Sequence, residues 1–313
     1  MNFFINDDTF HNNFPHSYNK EPLLLEKLLF RLSKKWIAGY NMEDVLNYAL
    51  NANERGLKCI INYLGEDLKN KDIVNKTVIE YKNLVKKMKE RGIEGSISIK
   101  PTQIGLSLNM NFCLDQLLEI TSIAKKNNTF IWIDMESFKN IESTLTIYQK
   151  VRKETNQIGI VLQSYLKRSY SDLIKLLAYK PSIRLVKGAY HEKEEYTFKT
   201  KVEIDNNYVE MAKLLFSQKD NLRENQIFAI ATHDANIVQT SLDLFYLYNF
   251  NKEHLQFQFL KGICEKLKVN LLSKGFTVHE YVPYGENWLP YSLRRLRERK
   301  SNIILLLRSL ISN

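Results

Sequence analysis

Ile158-Gly159-Ile160-Val161-Leu162-Gln163 and Ile183-Arg184-Leu185-Val186-Lys187 are two short apolar runs with little alternation of polar positions. A strand with one wet face alternates. A run without alternation suits a parallel strand covered on both sides. Working outward, six more segments read as strands: 58–63, 96–100, 129–134, 227–232, 255–260 and 277–283. Amphipathic stretches separate them. Val74, Val78, Tyr81, Val85 and Met88 fall on one helical face, Lys76, Lys82, Lys86, Lys87 and Lys89 lie off it, and Gly92 supplies a stop. Eight strands alternating with helices predict an α/β chain folded as a (βα)8 TIM-like barrel rather than a doubly wound sheet. Two additional N-terminal helices, over 21–36 and 42–52, are expected to pack outside it. The organisation expected is a loose arm over 1–20, helices over 21–56, and a barrel over 57–313 that ends in a C-terminal helical segment.

Composition narrows the class. Of 313 residues, 44% are apolar and 26% charged, as in an ordinary globular protein. Forty-five Lys and Arg against 35 Asp and Glu leave a net charge of +10, which invites an anionic partner without choosing one. Cys59, Cys113 and Cys264 form no C-x-x-C pair, and the six histidines (His11, His16, His191, His233, His254, His279) show no metal-ligand spacing, so no metal is expected. A sparse, odd cysteine count fits a reducing compartment. The polar N-terminus has no secretory core, and the longest aliphatic run, 303–307, is far too short to span a bilayer. A cytoplasmic protein is expected, with at most a peripheral membrane contact. There is no G-x-G-x-x-G, P-loop, G-x-S-x-G or RNP-like word, so nucleic acid has only the net charge behind it.

Barrels place their chemistry at the carboxyl ends of the strands. Those ends carry Leu64-Gly65-Glu66, Lys100-Pro101-Thr102-Gln103, Asp134-Met135-Glu136, Gln163, Arg184 through Tyr190, Thr232-His233-Asp234, Gln258, and Tyr281 with Tyr284-Gly285. A purely structural barrel has no need of so many polar ends. Each word also has a bland reading. Arg184 to Tyr190 is either an anion or cofactor cradle with Gly188 allowing close approach, or a strand leaving through a glycine turn. His233 is either catalytic or simply hydrogen-bonded. Arg294 and Arg295 are either a carboxylate clamp or part of a solvated basic face. The apolar run 303–310 either lies on an anionic membrane surface or packs on the barrel wall.

The words taken together resemble the proline dehydrogenase family, of the monofunctional bacterial type. They are R-L-V-K-G-A-Y-H-E (184–192), T-H-D (232–234), F-Q-F-L-K-G (257–262) and Y-V-P-Y-G-x-x-W-x-P-Y-x-x-R-R-L-x-E (281–298). I-N-Y-L-G-E (61–66), I-K-P-T-Q (99–103) and W-I-A-G (36–39) are similar to the same family, so the resemblance runs over about 30–299. It implies a barrel holding FAD that oxidises L-proline to Δ1-pyrroline-5-carboxylate and gives its electrons to a membrane quinone.

By the same resemblance, Arg294 and Arg295 bind the substrate carboxylate with Lys100 opposite. Tyr281 packs on the proline ring, and Tyr291 and Leu260 close the pocket. Glu66 pairs with Arg294 as a gate, and Glu298 and Asp134 hold the polar network. Gln163, Arg184, Val186, Lys187, Gly188, Ala189, Tyr190, Lys201, Thr232, His233 and Gln258 contact FAD. The chain departs from the family at Gln256, where Glu is frequent, and at Lys199, where Thr is frequent. Three other functions remain in view: a flavin barrel oxidising hydroxyproline or another secondary amine, a barrel using Lys100 or Lys187 as a Schiff-base nucleophile, and a non-catalytic basic surface binder.

Overall fold

Every predicted strand forms, and each lies beside its sequence neighbour. The computed structural model describes residues 30, 31 and 33–297, with the side chains of Arg294, Leu296 and Arg297 outside the description. The strands are β1 Lys58–Tyr63, β2 Gly95–Ile99, β3 Phe130–Ile133, β4 Ile158–Gln163, β5 Ser182–Val186, β6 Phe228–Ala231, β7 Leu255–Leu260 and β8 Thr277–Tyr284. All pairings are parallel, and β8 closes on β1, with Ile60 opposite Tyr281 and Tyr63 opposite Tyr284. Lys100, Asp134, Lys187 and Thr232 each stand one residue beyond their strand, at the carboxyl mouth.

The helices are α1 Met42–Glu54, α2 Lys71–Glu90, α3 Met110–Lys126, α4 Ile141–Glu154, α5 Ser169–Leu177, α6 Lys201–Phe216, α7 Ala235–Leu247, α8 Glu265–Ser273 and α9 Trp288–Arg297. Local chemistry starts them. Asn41 and Asp44 make a reciprocal capping box on α1, Thr200 and Glu203 do the same on α6, and Asn70 and Asn109 cap α2 and α3. Val74, Val78, Tyr81, Val85 and Met88 are all buried, as their spacing demands. Each such side chain contributes about 1.5–3 kcal/mol through the apolar surface it removes from water.

Besides the cluster around Trp36, Trp288 and Tyr291, two apolar regions follow from the topology. The larger lies between strands and helices. A small one fills the barrel itself, where Ile60, Trp132 and Ala229 are packed by Phe130, Ile227 and Tyr281.

The N-terminal residues join the barrel through several hydrogen bonds. Tyr48 of α1 donates to Glu280 of β8 at 2.6 Å, and Glu280 is also paired with buried Lys268 of α8. Above this, Ala38 donates to the Pro283 carbonyl at 2.9 Å. The helix expected over 21–36 is described only from Phe30. It ends at Ser33 and becomes a turn through Trp36, whose N–H and that of Ile37 return to the Ser33 carbonyl. The arm over 1–20 and the apolar run 303–310 lie outside the described residues.

Candidate active site

Because alternate strand residues share a face, the inward positions stack toward the carboxyl mouth: Ser98 then Lys100, Trp132 then Asp134, Arg184 then Val186, Gln258 then Leu260. Lys100, Asp134, Arg184, Val186, Gln258 and Leu260 line a cavity of about 430 Å³ that is also lined by Tyr281 and, from α9, by Tyr291 and Arg295. That is within the ~300–1,000 Å³ usual for ligand pockets.

A buried ionic cluster forms the floor. Arg184 Nη1 donates to Asp134 Oδ1 at 2.9 Å and to Ser98 Oγ at 3.1 Å. Ser98 donates to the same carboxylate at 2.7 Å, and Tyr281 Oη donates to its other oxygen at 2.8 Å. The guanidinium also lies over Trp132, 4.7 Å from the ring centroid. Burial pulls the Arg184 pKa below its ordinary value against the Asp134 carboxylate. Burial, then the same carboxylate, pushes the Tyr281 phenol up. Arg184 Nε and Nη2 have no hydrogen-bond partner among the described residues, nor do Gln163 Oε1 and Gln258 Oε1. Gln163 Nε2 is engaged by the Met135 carbonyl, and Gln258 Nε2 by Gln256.

One wall carries lysine. Lys100 Nζ donates to Glu66 Oε2 at 2.6 Å, and Tyr190 Oη reaches the same oxygen at 3.4 Å. Thr102 gives its N–H and hydroxyl to buried Glu136, at 2.9 and 2.5 Å. Burial raises the Glu136 pKa to about 7, opposed by the Lys100 charge and the two Thr102 hydrogen bonds. On the opposite wall Lys187 and Lys201 share Asp205 and Asp234, with Asp234 at 2.7 and 2.8 Å. Hydrogen bonds from both lysines hold the Asp234 pKa well below the carboxylate range. Gly188 sits at φ +118°, and a Cβ there would lie 2.0 Å from the Tyr165 ring, so no other residue fits. His233 Nε2 accepts the Leu260 N–H at 3.0 Å, which puts the proton of the neutral ring on Nδ1.

The structure thus brings together Lys100, Asp134, Gln163, Arg184, Val186, Lys187, Gly188, Ala189, Tyr190, Thr232, His233, Gln258, Leu260, Tyr281, Tyr291 and Arg295 around one cavity. Glu66 and Lys201 join through their ion pairs rather than by lining it. The Arg294 side chain and Glu298 lie outside the described residues, and the Glu66 contacts described are to Lys100 and Tyr190. Sequence reasoning assigned no role to Asn62, Ser98, Asp205 or Asp234. Two signals were there to be read: Ser98 is two residues before Lys100 on one strand, and Asp205 is one helical turn after Lys201.

A family model described as proline dehydrogenase matches residues 45–304. The chain belongs to the proline dehydrogenase family. It is 32% identical over 279 residues to proline dehydrogenase 1 of Bacillus subtilis subsp. natto, covering 89% of this chain and 90% of that protein. It is 29% identical over 294 residues to the proline dehydrogenase of Deinococcus radiodurans, covering 92% and 93%. Among solved structures, proline utilization A (PutA) from Bdellovibrio bacteriovorus, inactivated by N-propargylglycine, matches with a TM-score of 0.79 at 23% identity. The match covers 86% of this chain and 32% of that one, and it speaks for the proline dehydrogenase barrel fold alone.

Proposed function

We propose that this protein is an FAD-dependent dehydrogenase that oxidises L-proline to Δ1-pyrroline-5-carboxylate. Its electrons pass to a membrane quinone, in the first step of proline catabolism toward glutamate. The observation that carries this reading is the set of buried polar atoms on residues lining the cavity that have no hydrogen-bond partner among the described residues: Arg184 Nε and Nη2, Gln163 Oε1 and Gln258 Oε1. Buried polar groups are nearly always hydrogen-bonded. Donors and acceptors left open around one pocket fit the mixed nitrogen and oxygen edge of an isoalloxazine ring. Gln163, Arg184, Gln258, Val186, Thr232 and His233 would hold that ring, with Lys187, Gly188, Ala189, Tyr190 and Lys201 along the rest of the group. When bound, FAD would supply the acceptor for the hydride, one proton with two electrons, lost from the ring carbon beside the proline nitrogen, while the nitrogen gives up a proton.

The protein's own residues do the positioning. Arg294 and Arg295 fork onto the substrate carboxylate, and Lys100 adds positive charge from the other wall. Tyr281, fixed by its bond to Asp134, gives the proline ring a rigid face. Tyr291 and Leu260 exclude water above it. Arg184 sets a buried cation where negative charge accumulates. Glu66 with Arg294 forms the gate, and Glu298 joins the Asp134 network. Among the described residues no helix is long and apolar enough to cross a membrane. In this reading quinone exchange takes place from a peripheral position on the cytoplasmic face.

The test is the visible spectrum of protein purified with ample riboflavin, followed by anaerobic titration. A flavin band bleached by L-proline, and more weakly by hydroxyproline, is the expected result. Colourless protein, or a band that proline leaves unchanged, overturns the reading.

A further inference from the structure

The word F-Q-F-L-K-G contains a lysine that the proposed chemistry does not use. Lys261 follows Leu260, is 8% exposed, and turns away from the cavity. Its ammonium donates to the Lys34 carbonyl at 2.5 Å, reaches the Lys35 carbonyl at 3.4 Å, and lies 4.6 Å from the centroid of the Tyr48 ring. These carbonyls belong to the turn that closes the helix ending at Ser33. There, peptide oxygens past the last helical turn have no intrahelical donors and accept from a side chain instead. The next residue presses on the same turn. Gly262 has φ +71°, and a Cβ on it would sit 2.2 Å from the Lys35 carbonyl oxygen.

The turn that Lys261 grips carries the cavity's roof. Trp36 and Ile37 pack with Leu64, Ile263, Trp288 and Tyr291, and Leu260 lies against this cluster. Phe30 meets Tyr40 at 3.8 Å and Trp288 at 5.1 Å between ring centroids. Tyr291 lines the cavity and has the Arg295 guanidinium 5.4 Å from its ring centroid. A continuous packed path therefore runs from the Lys261 ammonium through the 34–37 turn and Trp288 to the two α9 side chains that face the ligand.

We infer that Lys261 is a positioning residue: by capping the 34–36 turn it sets the aromatic roof that places Tyr291 and Arg295 over the cyclic amino-acid substrate. The functional part of this inference rests on the reading of Tyr291 and Arg295 as substrate-binding residues. Lys261 itself touches neither substrate nor flavin, so its loss changes substrate capture without changing the chemical step.

The test compares wild type with Lys261→Met and Lys261→Arg, all as flavin-loaded protein. Met keeps the stem and removes the donor, whereas Arg keeps a cationic donor. Lys261→Met is expected to raise KM for L-proline about five- to tenfold with kcat within about twofold and flavin content unchanged. Lys261→Arg restores most of the loss. Two of the three tryptophans, Trp36 and Trp288, sit in the roof, so acrylamide quenching of tryptophan fluorescence rises in Lys261→Met whether or not the protein oxidises proline. A lowered melting temperature with unchanged KM and unchanged quenching means a merely structural lysine and overturns the proposal. So does a fall in kcat with KM unchanged. Raised quenching in a protein inert toward proline retains the roof linkage and removes the substrate reading. If Lys261→Met does not fold, Gly262→Ala displaces the same carbonyl and is read by the same two measurements, with the same outcomes deciding.

Discussion

The barrel has cavities of nearly equal size at its two mouths, about 430 Å³ at the carboxyl end and about 400 Å³ at the amino end, yet they are built from different chemistry. At the carboxyl end the charges are held close to or within the barrel and shared: Arg184 with Asp134, Lys100 with Glu66, Lys187 and Lys201 with Asp205 and Asp234. The amino end has one ion pair among its lining residues, Lys58 with Glu94 at 2.9 Å, and both side chains are largely in water. Its buried polar groups are neutral: Ser96, and His279, whose pKa burial lowers to about 3. Cavity size therefore says little about where chemistry occurs. Charges shared among several partners around a cavity say more, although burial alone does not mark a site: the Glu280–Lys268 pair is fully buried where α1 and α8 pack on β8, away from the cavity.

Removing the shared floor charge should separate the two mouths most sharply. Arg184→Met leaves Asp134 without its cation, so about 3–5 kcal/mol of stability and the bound flavin should be lost together. Melting curves and the absorbance of purified protein check this, and a stable yellow variant would break the contrast. Arg295→Met should act only at the roof, raising KM for proline about 100-fold with flavin retained. Steady-state kinetics on protein of measured flavin content distinguish the two, and equal loss of flavin would make Arg295 a cofactor residue.

The two ends should also titrate in opposite senses. Folded Glu136 keeps its proton up to about pH 7, whereas the unfolded chain releases it near 4.5. Stability from this group therefore falls as pH rises through that window. Folded His279 refuses a proton until about pH 3, whereas the unfolded chain accepts one near 6.5. Stability from this group therefore falls as pH drops through that window. Melting temperatures across pH 4–8 should show Glu136→Gln flattening the first slope and His279→Gln the second. The smallest effect belongs to the exposed pair: Lys58→Ala should shift stability by less than about 0.5 kcal/mol and leave proline turnover unchanged. A large loss of turnover there would give the amino mouth a role in the reaction.

The eight strands were legible to within a residue at every end because short apolar and β-branched runs, nearly continuous in β3 to β6 and alternating in β2 and β7, recur between amphipathic stretches such as the stripe Val74 to Met88. The site was legible by a different route. Chemistry sits where strands stop, so reading the strand ends retrieved Lys100, Asp134, Gln163 and the segment Lys187 to Tyr190 before any contact was known. The resemblance then gave weight to Arg295, which composition alone assigns to a solvated basic helix, and pointed to Tyr291, on which composition is silent.

Local sequence determined the elements, their order, and which residues stand at the carboxyl mouth, since hydrophobic period and capping residues act over a few positions. Only the closed tertiary structure decided the partnerships. Asp134 and Arg184 are 50 residues apart, Tyr281 lies 147 from Asp134, and Lys261 lies 227 from Lys34. Such pairs depend on the register in which strands close and on where a neighbouring turn leaves bare carbonyls. No short-range pattern records either, because a hydrogen bond across the barrel places no constraint on the residues adjacent to it in the chain.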